Sequence, residues 1–248
     1  STYGVEPTDA ALDSKHKTFN MFFDNKTALL IKKKIKKIDL ITFTNVFAHI
    51  EDLAELIKNI KLISSKETKI IIENHYLGAI FKNSQFDTFY HEHPRTYSLG
   101  SFRFIAKSLK KEILDFQFVS RYGGNIRVFI GEGSKSLKTK SENHFYENFL
   151  NLSKSMDKWI ISTKKKINEL NKSHGPINAK AFPGRAAILI KLLNLNTNNI
   201  KAVFEIKGSK KINHYVPGTK IPILPEKELY KKKVNGPILN LAWHIPDE

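Results

Sequence analysis

The stretch Ile38-Asp39-Leu40-Ile41-Thr42-Phe43 is followed by apolar residues at Leu53, Leu56, Ile57 and Ile60 and then by Lys69-Ile70-Ile71-Ile72-Glu73. The two apolar runs read as buried strands, and the spacing i, i+3, i+4, i+7 from Asp52 to Leu62 reads as a helix with one face for a core. Working outward, Ser101 to Leu109 has helical spacing, and Glu112 to Ser120 and Asn125 to Gly131 are strands joined through Gly123-Gly124. The cadence predicts an α/β fold, a doubly wound sheet that closes with an antiparallel pair.

From Lys138 to Ser173 the texture changes to one long helical run. Phe145, Phe149, Leu152, Met156, Trp159, Ile160, Ile167 and Leu170 fall on roughly one side, a stripe that reads as core rather than cofactor box. His174-Gly175-Pro176 ends it. A second α/β cycle follows: strand Asn178 to Phe182, turn Pro183-Gly184, helix Arg185 to Leu195, strand Ile200 to Glu205 and a last strand Pro237 to Trp243. The pattern predicts two lobes, 1–140 and 141–248, parted inside the long helical run.

Composition bounds the function. A chain of 248 residues, 41% hydrophobic, can bury a substantial core, and no apolar run approaches the roughly 20 residues of a membrane span. No membrane is therefore expected as partner, and the opening Ser1-Thr2-Tyr3-Gly4 lacks the form of a secretion signal. With no cysteine there is no disulfide and no Cys-ligated zinc, which points to a cytoplasmic protein. The net charge of +17 raises the question of nucleic acid. The lysines of Lys32-Lys33-Lys34, Lys164-Lys165-Lys166 and Lys231-Lys232-Lys233 lie on polar faces, however, and no nucleic-acid motif accompanies them, so no nucleic-acid partner is expected. A positive field that attracts a phosphorylated metabolite is the milder reading.

The chemistry concentrates in Phe86-Asp87-Thr88-Phe89-Tyr90-His91-Glu92-His93-Pro94. A phenol, two imidazoles and a carboxylate in four consecutive positions are what a cleft needs for acid/base work. His93 precedes a proline and is pushed out of the helical region, onto a segment of the kind that carries function. A helix-capping turn is the plainer alternative, and a metal held by His91 and His93, two apart on one strand face, is another. Glu6 stands at a strand end, where a carboxylate accepts both hydroxyls of a ribose, unless it is an ordinary loop acid before Pro7. Asn45 to His49 lies just past a strand end, where ligands sit in open sheets, although His49 could equally enter a helix.

Taken in order, Gly4 to Pro7, Asn45 to Leu53, Tyr90 to His93, Gly123 to Val128, Pro183 to Arg185, His214 to Ile223 and Leu241 to Trp243 resemble the sugar C-methyltransferases over nearly the whole chain. These are class I S-adenosylmethionine enzymes that methylate ring carbons of nucleotide-linked keto-deoxysugars. The resemblance implies His93 as catalytic base with Glu92 and Tyr90 beside it, and S-adenosylmethionine held by Glu6, Pro7, Asn45, Ala48 and His49. It implies a nucleotide-linked keto-sugar substrate met by Gly124, Asn125, Gly184, Arg185, Tyr215 and Lys220. Pro183-Gly184-Arg185 suits phosphate at a strand-to-helix turn, by backbone N–H groups and a forked guanidinium, whereas Phe182 departs from the family pattern. Tyr215 and Lys220 flank Pro217-Gly218, which a plain hairpin explains as well.

Such enzymes begin with a cysteine-rich zinc-binding domain and a first strand ending in a Gly-rich loop, and neither stands in these residues. The expectation is therefore an N-terminally truncated chain: a methyltransferase domain at 1–140 without that strand and loop, and a Rossmann-like sugar-nucleotide domain at 141–248. Zinc would belong only to the missing domain, two strands would lack ladder partners, and S-adenosylmethionine would bind the isolated chain poorly. The competing reading is an inactive fragment, or a sugar-nucleotide-binding module without catalysis.

Overall fold

The computed structural model describes residues 1–133, 137, 141–231 and 236–243. They form two compact units, Ser1–Ala79 with Glu92–Glu142, and Ile80–His91 with Asn143–Glu248.

In the first unit β1 (Tyr3–Val5) and β2 (Lys17–Phe19) make a parallel pair of their own. The main sheet has the order β3-β4-β6-β5. Its strands are β3 (Leu40–Thr44), β4 (Lys69–His75), β5 (Glu112–Val119) and β6 (Asn125–Gly131). β3 runs parallel to β4, while β6 lies antiparallel between β4 and β5, the doubly wound cadence closed by an antiparallel pair that the sequence predicts. Among the described residues β1 is laddered only to β2, and β3 only to β4.

The helices of this unit start where their caps dictate. Asp24 and Asp52 accept from the amides of Thr27 and Glu55, each at 2.8 Å, and open α1 (Asn25–Lys34) and α2 (Leu53–Ile63). Lys32, Lys33 and Lys34 close α1 against the negative end of its dipole. A short α3 (Leu77–Lys82) follows β4. α4 (Leu99–Ser108) begins two residues before the predicted Ser101, because Ser98 and Ser101 form a reciprocal capping box. The core joins Ile70 and Ile72 of β4, Ile126, Val128 and Ile130 of β6, and Leu56, Ile60, Phe102 and Ile105 of the helices. Each such buried side chain contributes about 1.5–3 kcal/mol.

Among the described residues the second unit has four parallel strands in the order β10-β7-β8-β9. They are β7 (Ile177–Lys180), β8 (Ile200–Glu205), β9 (Ile223–Pro225) and β10 (Ile238–Asn240), and the helices are α5 (Phe145–His174), α6 (Ala186–Leu193) and α7 (Lys227–Lys231). α5 starts at Phe145 rather than at Lys138; residues 138–140 lie outside those described, as do Lys232 and Lys233. The expected core stripe on α5 is only partly core. Leu152 and Ile167 are buried, Trp159 and Leu170 pack partly buried against the core, and Phe149 is exposed; the aromatic residues also meet the segment 80–91, Phe145 on Phe81 at 5.2 Å, Trp159 on Phe86 at 5.0 Å and Phe149 on Phe89 at 6.2 Å. β7 stops at Lys180, two residues early, since Ala181 turns left-handed at φ 59°. α6 ends at Leu193 for the same reason at Asn194. Among the described residues no helix is long and apolar enough to cross a membrane.

Candidate active site

Three imidazoles of the first unit converge at the carboxyl ends of β3 and β4, where open α/β sheets place their ligands. His49 ends the turn Phe47–His49 after β3, which is anchored by the hydroxyl of Tyr97 donating to the Phe47 carbonyl at 3.0 Å. His75 is the last residue of β4. His93 lies on the segment behind it, fixed two residues later by Arg95, whose guanidinium donates to the carbonyls of Ile50 and Glu51 at 3.1 and 2.7 Å. The His93 ring stands edge-to-face between the other two, 4.8 Å from His49 and 5.5 Å from His75. Nδ1 of His49 is 2.7 Å from the Glu92 carbonyl. A carbonyl only accepts, so in the neutral ring Nδ1 carries the proton and Nε2 is left as the acceptor.

Behind the imidazoles lies a polar floor. Glu73 of β4 sits opposite Arg127 of β6, and His75 opposite Asn125. Arg127 donates through Nε and Nη2 to Glu73 Oε2 at 2.9 and 2.7 Å, and Asn125 Nδ2 donates to Glu73 Oε1 and to Asn45 Oδ1, both at 3.0 Å. Burial pushes the Glu73 carboxyl up, but the hydrogen bonds of Asn125 and Arg127 and the Arg127 charge outweigh it and hold the group below the usual carboxylate range. Among the described residues, Oδ1 of Asn125 is buried and receives no hydrogen bond. Asn125 is delivered by a turn that needs its glycine: Gly124 has φ +127°, and a Cβ there would lie 2.5 Å from that of Ala79.

The other expected site residues have surroundings of their own. The backbone carbonyl of Glu92 accepts from Nδ1 of His49 at 2.7 Å. Tyr90 and His91 count with the second unit, their rings 5.8 Å apart. Glu6 is half-buried just past the end of β1, its carboxyl held below the ordinary range by the hydroxyl and then the amide of Thr8, at 2.6 and 2.8 Å from Oε1. The Ala48 amide faces Asn74 Oδ1 at 3.4 Å. Among the described residues no group of three or more His, Asp or Glu side chains has the geometry to hold a metal ion.

In the second unit, Arg185 forks onto Asp87 rather than lying open to a diphosphate: Nε to Oδ2 at 3.0 Å, Nη2 to Oδ1 at 2.6 Å, with a further bond to the Thr88 hydroxyl at 2.8 Å. The Trp243 indole stacks at 5.1 Å from the guanidinium and donates to Asp87 Oδ2 at 2.9 Å. Arg185 and Asp87 are 4% and 2% exposed, so the pair is interior. Gly184 is exposed at the turn before α6. Tyr215 and Lys220 stand exposed on a hairpin closed by Val216 N–H to the Ile221 carbonyl at 2.9 Å, the plain-turn alternative. Sequence reading assigned no role to His75, Glu73, Arg127, Asp87 or Trp243. Arg127 and Trp243 lay within stretches that carry the resemblance, and Asp87 was the one acid among aromatics in Phe86-Asp87-Thr88-Phe89.

Residues 121–248, over half of the chain, match the family described as the C-methyltransferase C-terminal domain. The chain is similar to the C-methyltransferase NovU of Streptomyces niveus, 35% identical over 83 residues that make up 34% of this chain and 20% of that protein, so it spans about a fifth of that relative's length. A SAM-dependent methyltransferase of known crystal structure from Archaeoglobus fulgidus aligns with 61% of this chain and 67% of its own at 15% identity and a TM-score of 0.36.

Proposed function

We propose, from the premise that the chain belongs to the C-methyltransferase C-terminal domain family, that it serves S-adenosylmethionine-dependent methyl transfer to a ring carbon beside the keto group of a nucleotide-linked deoxysugar. The observation that carries the reading is the row His49, His93, His75 at the strand ends. Methylation of a carbon next to a ketone needs the α-proton removed, and an imidazole titrates near the pH at which that is done. In this reading His93 takes the proton. His49 is held by the Glu92 carbonyl at the adjoining position, and Asn125 Oδ1, a buried acceptor that receives no hydrogen bond among the described residues, suits a sugar hydroxyl. Tyr90 is the phenol that the resemblance implies for the developing enolate oxygen.

Glu6 fits the cofactor's ribose, being only half-buried, ionised and placed at a strand end, with Oε1 engaged by Thr8. Pro7 follows it, and Asn45, Ala48 and His49 lie just past the carboxyl end of β3. When bound, S-adenosylmethionine supplies a methyl group on a sulfonium, the electrophile that the carbon requires. In the second unit the parallel order β10-β7-β8-β9 supports a Rossmann-like lobe for the sugar nucleotide, with Gly184, Tyr215 and Lys220 as its open candidates.

The proton step is testable without cofactor. A nucleotide-linked keto-deoxysugar incubated with the chain in heavy water is expected to lose the NMR signal of the proton beside its ketone. A substrate that keeps that proton as long as it does in buffer alone would sink the reading.

A further inference from the structure

At the opposite end of the main sheet from the imidazoles, the ends of α2 and α4, the start of β5 and the end of β6 enclose a cavity of about 700 Å³. That volume is typical of pockets that take small molecules, about 300–1,000 Å³. Four lysines line it, Lys61, Lys66, Lys110 and Lys111, against two carboxylates, Glu112 and Glu132. One of those carboxylates is already committed, since Glu132 holds Lys66 at 2.6 Å.

Lys111 is buried, 7% exposed. Its Nζ donates to the carbonyls of Ser65 and Lys66 at 3.0 and 2.8 Å, just past the end of α2. An ammonium has three N–H groups. Among the described residues the third makes no hydrogen bond, which leaves it to the cavity that Lys111 lines. Burial pushes this amine below the usual lysine range against the pull of Glu132, so a further negative charge beside it would stabilise the ammonium. Lys110, next to it, is left-handed at φ 56°, the position after a helix where glycine is usual. The turn is closed by backbone bonds, from the Lys110 amide to the Lys107 carbonyl and from the Lys111 amide to that of Ala106, and so does not depend on a long side chain. A strained position that keeps a cation at a cavity wall points to use of the charge.

We propose that this cavity is a binding site for a diphosphate group, separate from the imidazole cluster. Lys61, Lys110 and the third N–H of Lys111 supply charge-assisted bonds to its oxygens, and lysine, a compact charge on a flexible stem, needs no forked geometry to meet them. The same chemistry belongs to free diphosphate and to the diphosphate of a nucleotide. The site takes no part in the methyl transfer proposed above and stands apart from that reading.

The test is amide NMR of the whole chain, titrated with inorganic diphosphate and then with adenosine diphosphate. Inorganic diphosphate is expected to shift the signals of Ser64, Ser65, Glu132 and Gly133, and to bind more weakly as salt is raised. Tighter binding of adenosine diphosphate with the same signals shifted identifies the ligand as a nucleotide; binding no tighter identifies it as free diphosphate. Lys110→Gly removes a cation at a turn that glycine fits, so its melting temperature should hold or rise, and Lys61→Gln removes another from an exposed helix position. Each is expected to weaken diphosphate about three- to tenfold. No shift of these signals at millimolar diphosphate, shifts confined to the strand ends that carry the imidazoles, or an affinity that both variants leave unchanged overturns the site.

Discussion

Arg185→Ala is expected to destabilise the protein by about 3–5 kcal/mol, because it strands the Asp87 carboxylate in the interior beside Trp243 without its counter-charge. That corresponds to a fall in melting temperature of roughly 6–20 °C for a chain of this size. Both Asp87 oxygens are engaged, by Nε and Nη2 of Arg185 and by the Trp243 indole, so no rotation of the carboxylate brings it to water. A double variant, Arg185→Met with Asp87→Leu, removes both charges together and is expected to recover most of the loss. Thermal unfolding in the presence and absence of a nucleoside diphosphate separates this from the ligand-binding role implied by family resemblance. An Arg185→Ala protein that melts like the wild type but no longer gains stability from the diphosphate would return the guanidinium to the substrate.

The same pair shows why part of the site was illegible in the sequence. Asp87 and Arg185 stand 98 positions apart, and nothing local to Pro183-Gly184-Arg185 tells a guanidinium that meets phosphate from one that meets an acid of its own chain. Patterns closed within a few residues were legible. The apolar runs at β4 and β8, the helical spacing of α2, and the Gly-Gly turn between β5 and β6 all follow from periodicity and turn chemistry. Three-residue strands such as β1 and β2 carry too few positions for alternation to register. α1 went unread because Lys32, Lys33 and Lys34 resemble a solvated run, although they complement its dipole. His75 was hidden at the end of an apolar strand, and only the fold of the first unit brings the His93 ring to 5.5 Å from it. The aromatic stripe on α5 was visible, but its partners Phe81, Phe86 and Phe89 belong to a segment that reads as a continuation of the first lobe.

His93→Asn is expected to slow removal of the substrate's α-proton by about a hundredfold to ten-thousandfold, the span that a positioned general base supplies. Asparagine keeps the size and a hydrogen-bonding edge, so substrate binding and melting temperature should hold. His91→Asn is the matched control. That ring is exposed and counts with the second unit, and its loss should cost much less. Exchange measured in heavy water reads both variants on the same scale. If His91→Asn abolishes exchange while His93→Asn exchanges at the wild-type rate, the base has been assigned to the wrong imidazole.

The most direct measurement is the fate of a labelled methyl group. S-adenosylmethionine carrying a carbon-13 methyl is supplied with a nucleotide-linked keto-deoxysugar to the protein expressed from its complete reading frame, and the product is read by carbon NMR. The label is expected as a methyl bonded to the ring carbon beside the ketone, appearing at a rate that His93→Asn depresses. A label found as a methoxy group on oxygen, or a ring-carbon methyl formed equally fast without His93, contradicts carbon methylation by this cluster of imidazoles.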